Sequence, residues 1–336
     1  MSLLRQYFLP RLLQWALVIF CGITAVFFIT RLAPKDPVLE VINQLQTWGG
    51  RTMNPDTLEQ TINTLRELYG LKGSLLDQYF LLWRRVFTFD FGPSLFQFPT
   101  PVLKLVRTYL PWTAALFLTT TFLQWTLGNI LGGMAGYFSQ RPWAKTLDFL
   151  LATVRPLPHY LLGLLFLVLF GYVWRVFPVG RSLVFGRQTT FDLRFLVEVF
   201  RYSFLPALTV VLLGGAAWFQ QMKLLVQNVK KEEFAEYARF AGIREPHIAL
   251  QYVIPNALLP QITQLALMVG QVFGGMLIVE IVFSYPGMGT LLYNAIAKGD
   301  YNLIMAITTL SIVFISTVVL TIDLLYPLFD PRVRYR

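Results

Sequence analysis

Six stretches of this 336-residue chain hold no Asp, Glu, Lys or Arg. Each is long enough to cross about 30 Å of hydrocarbon at about 1.5 Å per residue. They are Leu12–Thr30, Thr108–Gln140, Pro156–Trp174, Tyr202–Met222, Pro246–Val279 and Tyr301–Ile322. An apolar share of 55% against 14% charged residues is far from a soluble domain's composition, so the expected fold is an all-α membrane protein with about six transmembrane helices. The second and fifth stretches exceed one crossing, and part of each is expected at an interface or outside the bilayer. The first follows Arg5 and Arg11 as a signal peptide would. It outlasts a usual h-region, however, and ends Ile29-Thr30-Arg31 with no small-x-small cleavage site, which predicts a retained helix.

The net charge of +10 is carried by short Lys/Arg clusters between these stretches, with no basic face interleaved with aromatics. That pattern argues for membrane orientation and against nucleic acid. With the N-terminus inside, the cytoplasmic segments carry Arg5, Arg11, Arg141, Lys145, Lys223, Lys230, Lys231, Arg239, Arg244, Arg332, Arg334 and Arg336. The opposite face also carries Arg175, Arg181, Arg187, Arg194 and Arg201, against Asp192 and Glu198. Both termini are expected in the cytoplasm, with Gln60, Arg187 and Asn294 outside and Trp143, Glu233 and Arg334 inside. Cys21 is the sole cysteine, so no intrachain disulfide forms, and no Cys/His spacing suits a metal.

The longest extramembrane segment runs from Arg31 to Arg107. Asn54-Pro55 is an N-cap and first-turn pair, Leu58, Ile62, Leu65 and Leu68 share a stripe, and Gly70 is a stop. Leu76, Tyr79, Phe80 and Trp83 form a second stripe ending near Arg84-Arg85. Two amphipathic helices folded over the outer membrane surface are expected here.

Between the fourth and fifth stretches, Phe234, Ala238 and Ala241 fall at helical spacing. Gly242 ends that helix, and Arg244-Glu245-Pro246 opens another. A surface helix lying on anionic headgroups would favour an unbroken basic cluster, whereas Glu232, Glu233, Glu236 and Glu245 are interspersed here. A protein partner suits this helix pair better than lipid.

These residues carry a resemblance. Glu236-Tyr237-Ala238, three residues, Gly242, then Ile254-Pro255 resembles the EAA loop by which ATP-binding-cassette (ABC) importer permeases dock on their ATPases. Arg31-Leu32-Ala33-Pro34-Lys35-Asp36-Pro37 resembles the Pro-Gly-Asp-Pro segment of the oligopeptide/dipeptide/nickel permeases. Glu280-Ile281-Val282-Phe283-Ser284-Tyr285-Pro286-Gly287-Met288-Gly289, Asp300-Tyr301, Asp323-Leu324-Leu325-Tyr326 and Asp330-Pro331-Arg332-Val333-Arg334-Tyr335 are similar to later segments of the same branch. Lys35 in place of Gly, Tyr237 in place of Ala, and Arg155 ahead of Leu157-Pro158 depart from its pattern.

The resemblance implies a type I importer permease. Its expected parts are an N-terminal transmembrane helix (1–31), an extracytoplasmic helical segment (32–107), a five-helix core (108–327) and a cytoplasmic tail (328–336). A coupling loop at 228–258 lies within the core. Phe234, Glu236, Tyr237, Ala238, Gly242, Ile254 and Pro255 are the implied ATPase-docking residues. The implied partners are a second homologous permease, two ABC ATPases, an extracytoplasmic solute-binding protein and the bilayer of the cell (inner) membrane. ATP and Mg belong to the ATPases. The chain itself is expected to hold no cofactor and do no bond chemistry.

Arg155 and His159, four residues apart beside Pro156 and Pro158, are candidates for the solute pathway. A central Arg in lipid costs roughly 2.5–3.5 kcal/mol, so Arg155 either lines that path or anchors at the interface. Gly128, Gly132, Gly133 and Gly136, and Gly270, Gly274 and Gly275, sit at helix-contact spacing. Pro286-Gly287-Met288-Gly289 lacks the Gly-Lys-Ser/Thr of a phosphate loop, and Glu280 is expected to be structural. A membrane hydrolase would need acid partners that His159 and His247 lack. An ion-coupled carrier acting without an ATPase remains the alternative. The solute expected is a di- or oligopeptide, or an oligosaccharide.

Overall fold

The structure, a computed structural model, describes residues 8–32, 38–39, 42, 55–180, 192–269 and 276–329. Arg5, Asn54, Arg187, Arg334, the Lys35-Asp36-Pro37 motif, Gly270, Gly274 and Gly275 lie outside these residues. Among them the elements are α1 (Leu9–Leu32), α2 (Pro55–Leu68), α3 (Leu75–Thr88), α4 (Val102–Tyr137), α5 (Pro142–Val154) and α6 (His159–Phe166). They continue as α7 (Leu193–Val229), α8 (Glu233–Phe240), α9 (Glu245–Ile248), α10 (Ile254–Val269), α11 (Leu277–Val282), α12 (Met288–Lys298) and α13 (Tyr301–Phe329). Wider π-helical turns extend α6 over Leu167–Val173 and join α9 to α10 over Ala249–Val253.

The described residues form an all-α fold, one of the two arrangements, with the closed β-barrel, that satisfy a backbone's hydrogen bonds without water. Helices α1, α4, α7 and α13 are each long and apolar enough to cross a bilayer, and α5 with the extended α6 makes a fifth crossing if the bent pair is one span. The stretch Pro246–Val279 is divided among α9, α10 and α11, with residues 270–275 outside the description. It therefore does not appear as one long helix among the described residues.

The chain forms two compact units, one from residues 1–112 with 287–336 and the other from residues 113–286. In the first, α1 and α13 run antiparallel, in a register set by contacts along their length. Thr30 Oγ1 donates to Met305 Sδ at 3.5 Å, Trp15 Nε1 donates to Thr317 Oγ1 at 3.2 Å, and Arg11 pairs with Asp323 at 3.1 Å. Helix α2 starts at Pro55 and is followed by Gly70 at φ +64°. Leu58, Ile62 and Leu65 pack around Tyr69. Helix α3 opens on a capping box: Ser74 Oγ accepts from Asp77 N, and Asp77 accepts from Ser74 N. Ser74 Oγ also donates to Asp77 Oδ2 at 2.7 Å, and this bond with the one from Ser74 N holds the Asp77 carboxyl below its ordinary value. The inward side of α3 carries Tyr79, Leu82, Trp83 and Val86, while Leu76 and Phe80 of the expected stripe are exposed.

Asp300, immediately before α13, is fully buried. It accepts from Ser94 Oγ at 2.5 Å, Phe96 N at 2.9 Å and Leu303 N at 3.1 Å. A carboxylate taken out of water needs this many donors.

In the second unit the α4 glycines meet α7. A Cβ added to Gly132 would stand 2.4 Å from Phe219 O, and one added to Gly136 would stand 2.7 Å from Lys223 O. Small residues let the two backbones approach, so these glycines serve a contact inside the chain. Lys223 pairs with Asp148 of α5 at 2.7 Å. Glu280 is buried and accepts from Thr113 Oγ1 at 2.6 Å, consistent with a structural carboxylate.

Candidate functional site

Helix α8 leaves α7 through a tight turn in which Lys230 N, Lys231 N and Glu232 N bond back to Val226 O, Asn228 O and Val229 O. Its eight residues divide by face. Ala235 and Ala238 are buried with Val226, Ile248, Ala249 and Val253, and Ile243 and Ile254 pack against that cluster. The small side chains let α8 lie close to the helices beneath it. The opposite side presents Phe234, Tyr237 (77% exposed) and Phe240 (88% exposed), flanked by exposed Glu233 and Glu236. Three aromatics stepping along one helix, open to solvent, form a surface left uncovered by the described residues. Pro255 is exposed as well.

Gly242 has φ +76°, a conformation L side chains rarely adopt. Gly242 N reaches Arg239 O at 2.9 Å, and Ile243 N reaches Ala238 O at 3.2 Å, closing the last turn of α8. Among the described residues, no atom beyond Gly242 itself and its two chain neighbours lies within 4 Å of where a Cβ would be. Glycine is thus required here by backbone angle, with open space beside it.

Four residues clasp the turn to the rest of the unit. Arg239 Nε lies 3.4 Å from Glu245 Oε1, and Arg239 donates to Lys230 O at 3.2 Å. Tyr137 Oη, at the end of α4, donates to Glu245 Oε2. Lys230 Nζ donates to Tyr137 O at 2.8 Å and lies over the Tyr137 ring, 4.4 Å from its centroid. Burial, reinforced by Arg239, pushes the Lys230 ammonium below its ordinary value, and Glu245 opposes the shift. These contacts join residues up to 108 positions apart, which no local pattern could reveal. Phe240 was equally absent from the sequence-derived site, although the Phe234, Tyr237, Phe240 spacing signals it.

Arg155 and His159 do not share one helical face, contrary to their spacing. Helix α5 ends at Val154, α6 starts at His159, and the two axes bend by 98°. Pro156 and Pro158 supply no N–H, and each disfavours helical geometry in the residue before it. Arg155 is exposed and donates to Gln220 Oε1, whereas His159 lines a cavity whose walls do not include Arg155.

Residues 128–335, which include this whole segment, match the family described as binding-protein-dependent transport system inner membrane component. The chain belongs to this family. Over 98% of its length it is 28% identical to the oligopeptide transport system permease protein AppB of Bacillus subtilis, covering 99% of that protein. It is 27% identical to the dipeptide transport system permease protein DppB of Lactococcus lactis subsp. cremoris, at the same two coverages. Identity is 26% with the glutathione transport system permease protein GsiC of Salmonella paratyphi A, again over 98% of this chain and 99% of that protein. As a member of this family the chain is a multi-pass membrane permease subunit of an ABC importer, with the type I permease fold. An ion-coupled carrier acting alone is not favoured.

Proposed function

We propose that this permease pairs with a second, homologous permease to form the path for a di- or oligopeptide delivered by an extracytoplasmic binding protein, and that two ATPase subunits drive it from the cytoplasmic side. The three relatives are named for oligopeptide, dipeptide and glutathione transport, which supports a peptide over an oligosaccharide. ATP and Mg are bound and ATP is hydrolysed in the partner subunits. Both termini are cytoplasmic, placing α8 on the ATPase side.

The observation that carries the docking role is the two-faced character of α8. Ala235 and Ala238 hold it against the permease body, and Phe234, Tyr237 and Phe240 are left for a partner's groove. Ala238 then acts by seating the helix, and Glu236, Phe234 and Tyr237 act by touching the ATPase. ATP binding can shift a two-state permease only through a contact that differs between its states, and a short helix held rigidly in a moving groove provides one. Purified Tyr237→Asp/Phe240→Asp permease should lose most ATPase in a pull-down while inserting normally in membranes. Full capture of the ATPase by this double variant would show that α8 is not the docking element.

A further inference from the structure

The second unit contains a cavity of about 370 Å³ lined by α4, α7, α10 and α11, with the start of α6 at its edge. This is within the size range of small-molecule sites. Its polar wall is made by Thr121, Gln124, His159, Gln221 and Gln264, and no Asp, Glu, Lys or Arg is among its described lining residues. Amides, a hydroxyl and an imidazole all hydrogen-bond without requiring a counter-ion.

Two details of this wall bear on ligand binding. Thr121 is 2% exposed, and its Oγ1 has no hydrogen-bond partner among the described residues. A buried hydroxyl left unpaired is costly, and such orphans mark places where a water or ligand completes the bond. Gln124, 1% exposed, lies with its amide against the bare Cα of Gly214: a Cβ there would stand 1.4 Å from Gln124 Oε1. Gln124 Nε2 meets Met268 Sδ at 3.9 Å, a weak acceptor that leaves the amide N–H groups bonding capacity for something better. Glycine at 214 is therefore what keeps this amide at the cavity wall.

We infer that this cavity is a contact station for the solute inside the permease, and that it reads peptide amides through uncharged hydrogen bonds while remaining indifferent to the charge of the peptide's side chains. The inference rests on the peptide-permease reading above. It assigns the path chemistry to Gln124, Gln221, Gln264, Thr121 and His159, and not to Arg155. A site without fixed charge can pass peptides of either sign, because neither is repelled nor trapped.

The test uses the complete importer in proteoliposomes with three probes: trialanine, Ala-Lys-Ala and Ala-Glu-Ala. Gln264 lines the cavity and is itself exposed, so a charge can be placed there without burying it. Relative to wild type, Gln264→Glu should raise the ratio of Ala-Lys-Ala to Ala-Glu-Ala uptake about tenfold, and Gln264→Lys should lower it by a similar factor. Gly214→Ala, which drives the Gln124 amide from its place, should slow all three peptides alike. Opposite shifts from one position separate a wall residue from a merely structural one, which would give the same loss in both variants. Unchanged ratios with uptake preserved, or equal losses in both variants, would overturn the inference and leave the importer reading standing. Failure of wild type to import any of the three would overturn the peptide reading and this inference together.

Discussion

Arg239 and Glu245 face each other across the Gly242 turn, Nε to Oε1 at 3.4 Å, and the same carboxylate accepts from Tyr137. The pair joins the end of α8 to the start of α9, so it braces the proposed docking helix without belonging to its outward face. Both side chains are partly exposed, and such a pair contributes about 0–1 kcal/mol. Glu245→Gln should therefore leave the thermal midpoint nearly unchanged yet reduce solute-stimulated hydrolysis severalfold, because the brace sets the angle of α8. Equal coupling in variant and wild type would remove that role from the clasp.

Gly242 separates backbone strain from partner contact. A left-handed L residue costs roughly 1–2 kcal/mol, and Asn bears the conformation better than most. With no atom near the missing Cβ, Gly242→Asn should keep assembly and coupling largely intact. Gly242→Arg carries the same kind of backbone cost but fills the open space, so it should uncouple transport from hydrolysis or release the ATPase. Pull-down and stimulated hydrolysis, measured on both variants, decide between the two effects.

The α4–α7 contact offers a neighbouring pair of glycines with opposite expectations. A Cβ on Gly132 would meet backbone at 2.4 Å, whereas one on Gly133 would meet side-chain atoms of Ile254 at 3.4 Å. Gly132→Ala should destabilise the detergent-purified subunit by about 1–3 kcal/mol, as overfilled interiors do. Gly133→Ala should have little effect in the same thermal melts.

Asp300 makes the first unit sensitive to pH. Burial raises its carboxyl above the ordinary 3.8, with the bonds from Ser94, Phe96 and Leu303 opposing the shift. A group raised on folding contributes stability that is fully present below its unfolded value and lost as pH climbs through the folded one. Stability should fall from pH 3.8 upward across that window, and Asp300→Asn should flatten the decline. Asp300→Ala strips three donors of their acceptor and should cost about 1.5–3 kcal/mol at any pH where the carboxylate is charged. Chemical unfolding at several pH values reads both effects.

Orientation can be tested directly. After Cys21→Ser, single cysteines at Gln60 and Asn294 should react with an impermeant maleimide from outside, and those at Trp143 and Glu233 only from inside. Labelling of Glu233→Cys in sealed right-side-out vesicles would reverse the proposed placement of α8.

Uncharged length alone determined that this chain is an all-α membrane protein. A long run without Asp, Glu, Lys or Arg has one inexpensive conformation in hydrocarbon, and that conformation follows from local hydrogen bonding. The turn at Gly242 and the starts of α2 and α9 were legible for a related reason: Gly and Pro act on their own backbone angles, whatever surrounds them. The spacing of Phe234, Ala238 and Ala241 also located the short helix. Which of its sides is buried was decided only by what lies beneath it. Ala238 is buried in one cluster with Ile248 and Val253, so the open side passes to Tyr237 and Phe240.

Tertiary structure likewise separated Arg155 from His159, since a four-residue interval implies one face only while the helix is unbroken, and here it bends by 98°. The cavity wall and the clasp draw on α4, α7 and the residues after them, well over fifty positions apart in sequence. Side chains that distant meet only through helix crossing, set here by glycines whose missing Cβ atoms admit a neighbouring backbone. Local pattern thus specified each helix and its ends, and close contact between helices chose which residues share a site.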